Sequence, residues 1–389
     1  MIPSLRRKFN EEFTEARHAE FRALLEQRTG GPPQFQHNQT PCFFDPALIE
    51  KMERYGKEMV ETLLGDPQYS KASDTAIPPE YNVPREDAVP LFIQVDFGLD
   101  QNREPKLVEI QGFPSLYAYQ PVLAECYRDA YGIDLPYLPG GLTLGEYHGL
   151  LRQAIVGDHD PENVVLMEID PSHQKTLADF RLTEQICGIK TADITHITKQ
   201  GRRLFHDGVP IHRIYNRAIV DELQRRQIAL RFDFRDDLDV EWAGHPNWFF
   251  RLSKFSLPYM KHPAVPQTRF LDELDRVDNP ENVVLKPLFS FAGLGVVVGP
   301  SPQQIEAARG RDYIVQDRVN FTPVIETPHG PAKVEVRIMY LWLDTLRAVN
   351  TVVRTGRGSQ MGVDHNRNMS WVGASAAFLS SSSSLLQGK

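Results

Sequence analysis

The stretch VVLKPLFSFAGLGVVV, residues 283–298, constrains the fold more than any other. It sets Lys286 and a glycine-bearing loop between two runs of β-branched residues. Loops of this kind approach phosphates, and three types can be compared. A Walker loop needs Gly-x4-Gly-Lys-Ser/Thr, a pattern the sequence does not contain. A Rossmann turn needs a helix directly after the glycines. Here Gly293-Leu294-Gly295 runs into Val296, Val297 and Val298, which are strand formers. The next helix signal comes later, where Ser301 and Gln304 form a capping box with Pro302 at the first helical position. The loop is therefore expected at the tip of a hairpin flap. Backbone N–H groups between Ser290 and Gly295 can then face a phosphate. An ordinary hairpin turn would carry the same glycines.

A second hairpin is expected upstream. In LFIQVDFGLD, Leu91, Ile93, Val95 and Phe97 alternate with Gln94, Asp96 and Gly98. After QNREP, the run KLVEIQG sets Val108 and Ile110 on one side and Glu109 and Gln111 on the other. With the turn centred on Asn102-Arg103, Asp96 falls opposite Glu109. Like charges directly opposite destabilise a sheet. A divalent cation between them reverses that sign, and Mg²⁺ suits two hard carboxylates beside nucleotide phosphates. The plainer alternative is a solvated hairpin face carrying two unrelated acids.

Elsewhere the pattern is mixed α/β (α+β). DPALIEKMERYGKEMVETLLG reads as a helix capped by Asp45, and residues 7–27 read as an earlier one. ENVVLMEID followed by SHQKTLADFRLTEQICG, stopped by Gly188, reads as a β-α step of an open sheet. LFHDGVPIHRIYNR reads as a hairpin about Asp207-Gly208 leading into a strand that ends at Asn216 and Arg217. Carboxyl strand ends of open sheets bind ligands, so these two residues are secondary candidates, with Tyr117 and Tyr119 weaker still.

Around the flap the order of features matters. Lys254 precedes Val-Pro-x-Thr and an expected helix. Lys286 lies on the strand entering the flap. DYIVQDRV ends in Gln316, Asp317, Arg318 and Val319, and KVEVRIMYLW carries Glu335 and Arg337 on one face. This set, over residues 251–378, resembles the ATP-grasp superfamily. The resemblance implies ATP and Mg²⁺ as cofactors. It implies nucleotide contacts at Lys254, Lys286, Ser290, Gly293 and Gly295, and an adenine hinge at Gln316, Asp317 and Val319. It implies catalytic roles for Arg337, Arg354 and Asn368. The family's metal carboxylates follow this block, but here the matching acids lie upstream. The chain thus resembles the circularly permuted, glutathionylspermidine-synthetase-like branch, with Asp96, Glu109 and Gln111 as metal residues. Gln111 stands where the family has asparagine.

The implied division is residues 1–150 for N-terminal helices and the carboxylate half of the core, and 151–250 for an inserted pre-ATP-grasp open α/β domain. Residues 251–320 would form the flap subdomain, 321–379 the remaining core strands, and 380–389 a tail, since Ser380 to Ser384 read as disordered. The implied activity is a ligase joining a small-molecule or peptide carboxylate to an amine or thiol through an acylphosphate. A phosphotransferase and a nucleotide-binding module without turnover are the alternatives.

A formal net charge of −8 argues against a nucleic-acid surface, so any anion site must be built from a few placed cations. Three isolated cysteines, Cys42, Cys126 and Cys187, argue for a reducing compartment. The opening MIPSLRRKFNEEF lacks a signal peptide's apolar core, and no membrane-length apolar run occurs, so a cytoplasmic location is expected. The histidines show no metal spacing, and His365 reads as part of a polar loop.

Overall fold

The computed structural model describes residues 2–290, 293–358, 361, 366 and 368–380. The upstream hairpin forms as its alternation requires, from antiparallel strands Phe92–Leu99 and Pro105–Gln111. Asp100 Oδ1 shapes the turn by accepting from the N–H groups of Asn102 and Glu104. Asp96 lies directly opposite Glu109. The phase of the second strand differs from expectation. The register shifts just after Asp96, so Val108 drops out of the ladder, and Leu107 rather than Val108 joins Ile110 in the apolar core. A bulge adds one residue and so exchanges the faces beyond it.

This hairpin is one half of a five-stranded antiparallel sheet. Its order is Gly373–Ser375, Leu346–Gly356, Lys333–Trp342, Phe92–Leu99, Pro105–Gln111. Two segments far apart in the chain thus build one sheet. Val334, Val336 and Ile338 bury one face together with Ile93, Val95 and Phe97. Helix Pro46–Leu64 covers that face with Ile49, Met52, Met59 and Leu63, and Asp45 caps it by accepting from Ala47 N–H. Gly56 permits the contact. A Cβ there would lie 2.2 Å from the Tyr340 hydroxyl, which donates to Glu53 O at 2.7 Å.

The single helix expected over residues 7–27 is two helices, Pro3–Glu11 and Glu15–Thr29. Thr14 separates them because its hydroxyl accepts from Arg17 N–H and starts the second.

The open sheet is parallel, in the order Glu241–Ala243, Arg213–Asn216, Val164–Glu168, Lys190–Asp193. Helix Leu177–Cys187 begins later than its sequence pattern suggested and stops at Gly188, φ 73°. Asp207 and Gly208, at φ 50° and 80°, turn the hairpin that leads into Arg213–Asn216. The chain passes from Val164–Glu168 to Lys190–Asp193 on one side and later returns to Arg213–Asn216 on the other, so Glu168, Asn216 and Arg217 lie at a topological switch point.

The flap sheet runs Thr268–Phe270, Tyr313–Asp317, Val283–Pro287, Val297–Val298. Gly293 and Gly295 take φ of 76° and 74°, joining two strands as expected. Helix Pro302–Ala308 carries the capping box. The helix expected after Val-Pro-x-Thr is instead strand Thr268–Phe270 and the short turn Leu271–Glu273, because Thr268 and Phe270 pair with Gln316 and Ile314.

Strand Cys42–Phe44 pairs in parallel with Ala377–Leu379, and Ser380 N–H donates to Phe44 O. Ser380 thus extends this pairing rather than opening a tail; residues 381–389 and His365 lie outside the described residues. The three cysteines are buried and free. Among the described residues no helix is long and apolar enough to cross a membrane.

Candidate active site

The second face of the central sheet carries charge. Because side chains alternate along strands, Arg337 comes opposite Asp96 on one neighbour, and Glu335 opposite Arg354 on the other. Arg337 grips Asp96 through Nε at 2.5 Å and Nη2 at 2.7 Å, and its Nη1 donates to Gln94 Oε1 at 2.7 Å. Arg354 reaches Asp96 Oδ2 at 2.6 Å and also pairs with Glu335, both through Nη2. Its side chain is 28% exposed, against 8% for Arg337.

Two lysines close over the Glu109 end. Lys254 opens the 3-10 segment Lys254–Tyr259, which Ser253 caps by accepting from Phe255 N–H. Gly112 lets this segment approach, since its N–H donates to Leu252 O and a Cβ would lie 2.8 Å from Trp248 O. Lys254 Nζ donates to Glu109 Oε1 at 3.3 Å and to Ser290 O at 2.7 Å. Lys286, on the flap strand, donates to Val108 O at 2.9 Å and to Gln316 Oε1 at 2.7 Å. The bulge therefore has a use: it frees the Val108 carbonyl from the ladder for a buried ammonium.

Four cations and three acids thus meet where the flap sheet faces the central sheet. Burial pushes the Asp96 carboxyl up, but Arg337 and Arg354 outweigh it and hold it below the ordinary value. Burial raises Glu335; Arg354 opposes that and the Asp96 charge adds to it. Burial, with Lys254 nearby, brings Lys286 down to about 8, although Glu109 opposes the shift. Both acceptors of Lys286 are neutral, so its charge remains available to an anion.

The structure brings Asp96, Glu109, Lys254, Lys286, Ser290, Arg337 and Arg354 together. Asp96, expected as a metal ligand, has both oxygens accepting from guanidiniums, those of Arg337 and Arg354. Arg337 has donors spent on Asp96 and Gln94, whereas Arg354 keeps Nε and Nη1 unbonded among the described residues. Gln316 turns inward, with Nε2 donating to Thr268 Oγ1, and so supports Lys286. At the expected hinge, Asp317 is exposed and its N–H is taken by Gln267 O; Val319 is half-buried. Gly293 and Gly295 flank the exposed Leu294 at the flap tip. Asn368 is an exposed turn residue. Asn366 is the buried asparagine, and its Oδ1 accepts from Arg357 and Gly358 N–H. Gln94 and Glu335, placed by their alternation on the same faces as Asp96 and Arg337 but not assigned roles there, join the cluster.

The residues present fit a divalent cation only in part. Among the described residues no three His, Cys, Asp or Glu side chains gather as a metal cage. Glu109 and Gln111 share a face, and Glu109 has one oxygen engaged by Lys254 alone. Mg²⁺ commonly takes one or two protein oxygens and completes its shell with phosphates and water, and this pair offers that number. Among the described residues Ser290 Oγ is buried without a hydrogen-bond partner, so it has a donor to offer a ligand oxygen.

At the switch point, Arg217 Nη1 donates to Asp179 Oδ2 at 2.8 Å, and the guanidinium lies over the Phe113 and Phe180 rings. Asn216 Oδ1 accepts from Ala218 N–H. Burial pushes the Glu168 carboxyl up to about 8. The Tyr117 hydroxyl bridges Ile93 O and Tyr340 O, and Tyr119 bonds His37, which gives both tyrosines a packing role.

No family model matches the chain, and no curated protein matches it in sequence. Among solved structures, the chain is similar to a glutathione synthetase-like effector from Globodera pallida, determined in its apo form. The TM-score is 0.56 at 9% sequence identity, covering 94% of this chain and 96% of that one. At that identity the likeness concerns the fold alone, which is mixed α/β.

Proposed function

We propose that the chain is an ATP- and Mg²⁺-dependent ligase of the ATP-grasp kind, in the permuted arrangement, joining a small-molecule or peptide carboxylate to an amine or thiol. The observation that carries this reading is the meeting of Lys254, Lys286, Glu109 and Arg354, drawn from separate segments, beneath a glycine-tipped flap. Such a reaction must bring an anionic carboxylate to an anionic triphosphate, and fixed cations lower the cost of that approach.

In this reading Lys286 and Lys254 bind the phosphates, and the flap N–H groups with Ser290 Oγ add neutral donors. Glu109 and Gln111 hold Mg²⁺, which neutralises phosphate charge when bound. Arg354, with two nitrogens unbonded among the described residues, orients the substrate carboxylate. Asp96 and Arg337 hold Arg354 in place. Asn368 has no part in this scheme.

A nucleotide-binding module without turnover is the second reading. It is favoured by Asp96, whose charge is spent on arginines, and by Gln111, whose longer arm places its oxygen differently from asparagine. Hydroxylamine trapping separates the two. The ligase, given Mg-ATP and a panel of carboxylic acids, accumulates a hydroxamate and releases ADP in equal amount. ATP binding with neither product across the panel would leave the binding module. No ATP binding at all would remove both.

A further inference from the structure

A cavity of about 380 Å³ opens well away from the charged cleft, between the 83–91 loop, the edge of the parallel sheet and the end of Lys333–Trp342. Its wall includes Trp242 and Trp342 with aliphatic neighbours. Trp342 is five residues beyond Arg337 on one strand, which places it about 16 Å away. The volume is that of a small-molecule site.

The charges around it sort cleanly. Arg213 donates to Glu241 and to the carbonyls of Ala154 and Ile155, which uses its three nitrogens. Arg85 pairs with Asp237, and Asp236 pairs with Lys199. Glu241 also meets His159. His245 accepts from Asn247 N–H through Nδ1, and burial holds it below its ordinary value, so it is uncharged at neutral pH. Among the described residues the Asp87 carboxylate has no ion-pair or hydrogen-bond partner, while its backbone carbonyl is fixed by Trp248 Nε1 at 3.3 Å. The cavity thus offers two indoles and, among the described residues, one carboxylate with no hydrogen-bonded partner, pushed up by burial and drawn down through space by Arg213. Indole faces attract cations, and a carboxylate at the rim adds to the attraction.

We propose that this cavity is a second ligand site, selective for a small organic ammonium with an apolar body, held by Trp342, Trp242 and Asp87. The site is independent of the ligase reading, since it shares no residue with the charged cleft.

The test is isothermal titration of the full chain with choline and with 3,3-dimethylbutan-1-ol, the uncharged carbon isostere of choline. Choline is expected to bind saturably in the millimolar range, with the isostere about tenfold weaker. Asp87→Asn, at an exposed position, and Trp342→Leu should each weaken choline about tenfold. Lys286→Met, in the cleft, should leave choline binding unchanged while removing ATP binding. No saturable heat, equal binding of the isostere, or loss of choline binding with Lys286→Met but not with Asp87→Asn would each overturn the proposal. Should Trp342→Leu fail to fold, Asp87→Asn carries the test, its folding checked by thermal melting.

Discussion

Arg337 holds both carboxylate oxygens of Asp96 from the neighbouring strand, at 2.5 and 2.7 Å, with the pair almost fully buried. Removing one partner of a buried pair strands the other charge and costs about 3–5 kcal/mol. Asp96→Ala is therefore expected to lower unfolding free energy by about that much, with Arg337→Met similar. The double variant should cost about 2 kcal/mol less than the two singles combined. Urea titrations of the four proteins check this, and strict additivity would contradict it.

Metal use separates the two acids of the hairpin. Glu109→Gln should raise the Mg²⁺ needed for half-maximal ADP release by about tenfold or more, the effect of one weakened ligand. Asp96→Asn should instead lower stability and leave that concentration within about twofold. A larger metal effect at Asp96 than at Glu109 would restore Asp96 as a ligand.

Lys286 sets a pH limit. Its ammonium is held down to about 8 by burial, and bound phosphate favours the protonated form. ATP affinity should therefore decline above pH about 8, by up to tenfold per unit, with proton uptake on binding. Stability moves the other way. The folded pKa lies below the unfolded value of about 10.4, so the unfolded chain binds more protons between the two and stability rises across that window. ITC of the unaltered chain in buffers of differing ionisation enthalpy reads the proton uptake, and Lys286→Met should abolish the stability trend in melting curves from pH 7 to 10.

Glu168 carries the opposite sign. Its carboxyl is pushed up to about 8 by burial, so the folded chain keeps a proton that the unfolded chain loses near pH 4.3. The stabilising contribution is complete below that value and is lost as pH rises towards 8. Glu168→Gln should then be the more stable protein at pH 8, by about 1–3 kcal/mol, and nearly equal at pH 4.5. Parallel curves at both pH values would contradict this.

Gly56 tests the helix-to-sheet contact. In an open helix, Gly→Ala gains about 1 kcal/mol. Here the added methyl would lie 2.2 Å from the Tyr340 hydroxyl, so Gly56→Ala should lose about 1–3 kcal/mol instead. Tyr340→Phe in the same protein should return part of the loss, measured by urea unfolding.

What was legible in the sequence was whatever depended on alternation and order. The Asp96–Glu109 pairing followed from counting across one turn, and the flap followed from valines after Gly295. The bulge at Val108 was not legible, because an extra residue leaves no mark in a run of alternating side chains. The break at Thr14 was signalled by a capping residue inside an apolar pattern that otherwise continued. The partners of Asp96 were hidden for a different reason. Strands 333–342 and 346–356 carry their arginines in plain view, but which acid each arginine meets depends on a sheet order that local pattern does not encode.

The hairpin at 92–111 finds its sheet partner only in residues 333–342. During synthesis its inner edge must wait on the ribosome's pace, open and ready to pair with the wrong strand, until that distant stretch emerges. Premature termination before 333 would leave a polypeptide with Asp96 stripped of its arginines and an unsealed strand. Nascent-chain surveillance would meet this protein chiefly as an aggregation hazard, and its folding time would be governed by delivery of the late strands more than by any local step.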